Sequence, residues 1–84
     1  METMYAELHE KLEEEIEDAH EYLDLAEKAE ARGCEYLATG LRNIARDEFT
    51  HAYFHRDYLI AKGKYDYGEA EEKWHHLKKI FNGR

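Results

Sequence analysis

Proline is absent from the 84 residues, and cysteine appears once, as Cys34. The first absence removes the residue that most often breaks a helix. The second rules out an intrachain disulfide, so no covalent staple supports a chain near the lower size limit for a self-sufficient core. No stretch approaches the roughly 20 apolar residues of a membrane span, and the N-terminus lacks the basic region and apolar run of a secretory signal. These absences point to one helical domain over residues 1–84, no membrane partner, and the cytoplasm as the expected location. Basic residues, 12 against 20 acidic ones, are scattered rather than banded, and a net charge of −8 repels phosphate backbones. Nucleic acid is therefore not an expected partner. Cations suit the charge better, although a plain solvated surface has the same composition.

What the chain does contain is helix formers, chiefly Ala, Glu, Leu and Lys. Apolar residues recur at helical spacing from about 5 to 32, stop at Gly33, resume over about 35 to 62, and stop again at Gly63. A loop follows, and a shorter helix over about 69 to 82 carries Ala70, Trp74, Leu77, Ile80 and Phe81 on one stripe. The predicted class is all-α: a two-helix antiparallel hairpin, forced by the short Arg32-Gly33-Cys34 junction, plus a short C-terminal helix. Two paired helices cannot enclose a core, and the third covers only part of what remains. Two hairpins about a two-fold axis would complete a four-helix bundle, so a homo-oligomer, at least a dimer, is expected before any motif is considered.

Steps of four and three trace an apolar seam along each long helix. In the first it runs Leu8, Leu12, Glu15, Ala19, Tyr22, Ala26 and Ala29. In the second it runs Leu37, Leu41, Ile44, Glu48, His51, His55 and Tyr58. Glu15, Glu48 and His51 interrupt these seams at what look like matching depths. A carboxylate placed among core positions calls for protonation, strong pairing or a metal, and a metal uses all three residues. A symmetric dimer would then bring four glutamates and two histidines together, the tally of a di-iron carboxylate bundle, with four carboxylates balancing two divalent ions. Carboxylate and imidazole donors favour iron, with zinc or manganese as substitutes.

The Glu-x-x-His spacing alone carries little weight, because 15 Glu and 6 His produce it about once by chance. It occurs three times. Glu17 to His20 falls off the seam, Glu72 to His75 lies on the short helix without a facing carboxylate, and only Glu48 to His51 sits in the seam with a partner.

The stretch from Glu15 to His51 resembles the first helical hairpin of the ferritin-like superfamily. Rubrerythrin-type domains have a helix-one Glu, a Tyr seven residues on and a Glu-x-x-His on the next helix, which Glu15, Tyr22, Glu48 and His51 match. The ending Lys73-Trp74-His75-His76-Leu77-Lys78-Lys79-Ile80-Phe81 is similar to the terminal helix of the half-length encapsulated ferritins. That resemblance implies a ferroxidase site built across a dimer interface, with Glu15, Glu48 and His51 as metal ligands; Tyr22, on the same face as Glu15, reads equally as a hydrogen-bonding or redox-active phenol of that site and as core filling. It also implies an encapsulin shell as partner and a protein nanocompartment as location. The 33-residue spacing from Glu15 to Glu48 is nearer the rubrerythrin type, and Asn82-Gly83-Arg84 carries none of the extension that directs such cargo into a shell.

The expected function is oxidation of Fe(II) by oxygen or peroxide, for iron storage or detoxification. One competing expectation is a rubrerythrin-like peroxidase; lacking a Cys-x-x-Cys pair, it would take electrons from a separate protein. The other is a metal-free helical interaction module whose seam polar residues set register. His55 reads as an outer partner or entry residue rather than a ligand, and Asp18 and Asp47 as solvated charges. His75 and His76 read as surface or interface residues, and Cys34 as incidental. The stripe of Trp74, Leu77, Ile80 and Phe81 reads as a packing or oligomer surface rather than a ligand pocket.

Overall fold

A computed structural model describes residues 2–82 of the chain. Three α-helices account for nearly all of them: α1 over Glu2–Ala31, α2 over Glu35–Ala61 and α3 over Glu69–Asn82. There is no strand among the described residues. Helix α1 starts at Glu2 rather than near residue 5, because no proline or glycine precedes Tyr5 to stop it. Gly83 and Arg84 of the terminal tripeptide lie outside the described residues.

Two glycines end the long helices by one device. Gly33 has φ +76° and Gly63 φ +67°, a left-handed backbone that a side chain disfavours. At the first, Gly33 N–H donates to the Glu30 carbonyl at 2.9 Å and Cys34 N–H to the Ala29 carbonyl at 2.9 Å. At the second, Gly63 N–H donates to Ile60 at 3.0 Å and Lys64 N–H to Leu59 at 2.8 Å. These paired bonds satisfy carbonyls that a helix end would otherwise orphan. The first of the two turns sends α2 back along α1.

The hairpin is zipped by small residues. Ala19, Ala26 and Ala29 of α1 and Ala38, Ala45 and Ala52 of α2 are all buried. Short side chains let two helix backbones approach closely. Glu30 and Arg42 pair across the hairpin.

Helix α3 lies across one side of this hairpin. Its buried Ala70, Trp74 and Leu77 join Leu12, Ile16, Phe49 and Leu59 in the core. The indole ring of Trp74 packs 5.8 Å from the Phe49 ring and 5.2 Å, edge-on, from that of Tyr53. The stripe foreseen for this helix is thus a packing surface, with Ile80 left exposed at its edge.

A polar clamp fixes the same contact. Arg56 Nε and Nη2 donate to the two Glu71 oxygens at 2.8 and 2.7 Å, Tyr65 Oη donates to Oε1 at 2.6 Å, and His75 Nε2 lies 2.7 Å from Oε2. Four donors fill the acceptor sites a carboxylate offers. The Arg56 guanidinium also lies 3.9 Å over the Trp74 ring, so the ion pair and the aromatic core share a wall. Hydrogen bonds from Arg56, against the opposing effect of burial, hold the Glu71 carboxyl down to about 2. Burial and the bond to Glu71 raise the Tyr65 phenol, and the bond to Glu71 raises Arg56.

A carboxyl whose folded pKa lies below its unfolded value stabilises the fold above the unfolded value and loses that contribution on acidification. The clamp should therefore weaken as pH falls from about 4.5 towards about 2. Urea midpoints measured across that window should drop more steeply for the wild type than for Glu71→Gln, with the two curves converging at the acid end. Parallel curves would mean that Glu71 carries no such linkage.

Candidate metal-binding face

Helix α3 covers only one side of the hairpin, and the candidate residues lie on another. On α2 the residues that meet α3 include Phe49, Tyr53 and Arg56, whereas Glu48, His51 and His55 point about 130° away at 100° per residue. With them on that open strip lie Leu37, Ile44 and Phe54, respectively 54, 42 and 68 % exposed. Met4 and Leu25 on α1 are exposed as well, and Leu8, Tyr22, Leu41 and Tyr58 are half-buried.

The predicted seam is therefore correct in part for α1, where Leu8, Glu15 and Tyr22 are only half-buried and Ile16 is buried instead, and displaced for α2. Leu12, Ala19, Ala26 and Ala29 are buried against α2, as the spacing predicts. On α2 the buried positions are Ala38, Ala45, Phe49, Ala52 and Leu59, and the stripe traced from Leu37 is the open strip beside them. Consequently Glu15, Glu48 and His51 are not core residues of one chain. Their side chains are 15, 23 and 59 % exposed, and no polar residue is fully buried among the described residues. Burial within the chain does not demand a metal.

Register decides which of them meet. Glu15 Oε1 lies 2.7 Å from His55 Nδ1 across the hairpin. Glu48 Oε1 lies 3.2 Å from His51 Nδ1 one turn along α2. The antiparallel pairing that places Glu15 opposite His55 places Tyr22 level with Glu48, about 10 Å along the helices. Glu15 and Glu48 thus do not share a depth within one chain. His55 is the site residue that spacing undervalued: it follows His51 by one turn in the seam, and only the hairpin register reveals Glu15 as its partner.

The other candidates fall elsewhere. Asp18 is half-buried, Asp47 is exposed, and Cys34 sits exposed at the hairpin turn. His75 serves the Glu71 clamp rather than pairing with Glu72. His20 and His76 face each other between α1 and α3.

The open strip thus offers two carboxylate and two imidazole side chains in pairs, a donor chemistry that fits iron, manganese or zinc. Within one chain no three His, Cys, Asp or Glu side chains converge to hold an ion among the described residues. A metal on this face would take its remaining ligands from elsewhere. No described helix is long and apolar enough to cross a membrane. No protein-family model, curated protein or solved structure matches the chain.

Proposed function

We propose that the open face is half of a di-iron carboxylate site, completed by the same face of a second copy, and that the assembly oxidises Fe(II). The observation that carries this reading is the placement of Glu15, Glu48, His51 and His55 in the middle of an apolar strip left uncovered by α3. An exposed strip of this kind is what an interface leaves behind when its partner is removed. A two-fold pairing would double each donor, giving four carboxylates and four imidazoles, enough for two divalent ions.

In this reading Glu48 and His51, three apart on one helical face, reach one ion or two adjacent ions. Glu15, about 10 Å along the helices from Glu48 within one chain, would supply its carboxylate to the half-site of the second copy. His55, through its contact with Glu15, fixes the direction in which that carboxylate points. The surrounding Leu37, Ile44 and Phe54 exclude water once the faces close. Bound ferrous ions would supply the electrons that reduce oxygen or peroxide. Tyr22, level with Glu48, is the phenol placed to donate a hydrogen bond within the closed face. Delivery of iron into an encapsulin shell belongs to the same proposal and rests on the resemblance alone.

One observation favours a second reading. Glu15 with His55 and Glu48 with His51 already pair within the chain, so the face also suits a metal-free helical interaction module in which these pairs set register.

Elemental analysis together with gel filtration, with and without Fe(II), separates the two. The expected result is about one iron per chain, an Fe(II)-stabilised dimer or multiple of it, and faster Fe(II) oxidation than in buffer. Glu48→Ala should abolish all three gains. Absence of bound metal, with an oligomer indifferent to Glu48→Ala, would establish the interaction module instead. Rapid consumption of peroxide, with air oxidation no faster than in buffer, would mark a peroxidase.

A further inference from the structure

On the far side of α1 from the open strip, His20 meets His76 of α3, their ring centroids 5.4 Å apart and the planes tilted by 54°. That separation is an ordinary ring contact, and it also admits a shared ion. Two imidazoles bound to one tetrahedral ion at the usual ~2.0–2.1 Å place their ring centroids about 5 Å apart. His20 Nε2 also lies 3.3 Å from the Lys73 carbonyl. A ligating histidine characteristically donates its second ring nitrogen to a carbonyl or carboxylate, which fixes the tautomer and frees the other nitrogen for the ion. Here that contact leaves Nδ1 of His20 available. The adjoining groove has a volume of about 500 Å³ and is lined by Glu17, Glu21, Asp24 and Glu72 against the ammonium of Lys73. Four carboxylates facing one ammonium give it the field of a cation site.

We propose that His20 and His76 bind one divalent ion of the zinc, cobalt or copper class, bracing α3 against α1. The site has two protein ligands; among the described residues no three His, Cys, Asp or Glu side chains group to hold an ion. Solvent occupies the remaining positions, and the groove carboxylates supply charge from outside. Imidazole donors favour these borderline ions over magnesium or calcium. Nothing in this site depends on a second copy or on the reading of the open face, because its two ligands come from α1 and α3 of one chain.

The test is Zn(II) titration of a Glu15→Gln, Glu48→Gln, His51→Ala, His55→Ala background, which silences the open face, followed by addition of His20→Ala or His76→Gln. The background protein is expected to bind one Zn(II) per chain, with the His20 and His76 ring resonances shifting together in imidazole NMR spectra. Its thermal midpoint should rise with Zn(II) concentration. Either further substitution should weaken Zn(II) binding at least tenfold, and His76→Gln, at an exposed position, should leave the metal-free melting curve unchanged. A background protein that binds no Zn(II), or binding unaltered by both substitutions, would overturn the proposal. Neither result bears on the open face, whose own test uses Fe(II) and an intact Glu48.

Discussion

Trp74→Ala is expected to destabilise the chain by about 3–5 kcal/mol, the range for truncating a fully buried large aromatic. Trp74 is 1 % exposed and is the largest fully buried side chain. Its ring touches Phe49 and Tyr53, and it also forms the floor beneath Arg56. Removing it therefore opens a cavity and at the same time lets water reach the Arg56 to Glu71 ion pair, two losses that should not add independently. A chain of this length has a total stability of roughly 4–13 kcal/mol at the usual per-residue figure. The loss is a large part of that, and it falls on the contact through which α3 docks. Chemical denaturation should show a lowered midpoint, and amide exchange should show α3 losing protection before α1 and α2. Trp74→Phe is the discriminating control. The indole nitrogen is buried without a hydrogen-bond partner among the described residues, so the smaller ring gives up no hydrogen bond and should cost markedly less. Equal losses from the two substitutions would show that ring volume is not what Trp74 contributes.

The helices themselves were legible because their punctuation is chemical. With no proline, glycine is the residue left to end the long periodic runs, and Gly33 and Gly63 do so in the left-handed backbone that makes glycine a stop, whereas Gly40 stays helical inside α2. The stripe through Trp74 and Leu77 was equally plain, since a 3.6-residue period of large apolar side chains has few other meanings. What was hidden is the face of α2 that meets α1. The stripe traced from Leu37 passes through Ile44 and His51, but close helix contact selects Ala38, Ala45 and Ala52, each one position further on. A shift of one residue turns a helix by about 100°, enough to carry Glu48 and His51 from the core to the surface.

The same cause made the site half legible. Residue types and spacing marked Glu15, Glu48 and His51, but spacing along one helix does not state which residue stands opposite across a hairpin. The 40-residue separation between Glu15 and His55 is fixed only by register. The Glu71 clamp was hidden for a related reason. Arg56, Tyr65 and Glu71 lie on α2, the loop and α3, and no local pattern joins them.

Ile44→Glu combined with Phe54→Glu should convert the proposed assembly to a monomer. In a two-fold interface each substitution appears twice, so four apolar contacts are lost. Full burial of such a side chain is worth about 1.5–3 kcal/mol, and with 42 and 68 % of the two surfaces left to bury the loss is about 3–7 kcal/mol, or a dissociation constant raised about a hundredfold or more. Four added carboxylates facing one another on an already acidic chain work in the same direction. Both side chains are exposed in the single chain, 42 and 68 %, so its helix content and thermal midpoint at high dilution should be almost unchanged. Sedimentation velocity over a range of concentrations measures the association directly. Fe(II) oxidation assayed on the same samples adds the decisive comparison, because Glu15, Glu48, His51 and His55 are all retained. If the open face is a half-site, the double variant should lose oxidation together with association, and wild-type activity per chain should fall on dilution below the dissociation constant. Full activity in a monomeric variant would mean that one chain holds the metal unaided. An unchanged oligomer would mean that the chain associates through some other surface, with the open strip serving a different partner.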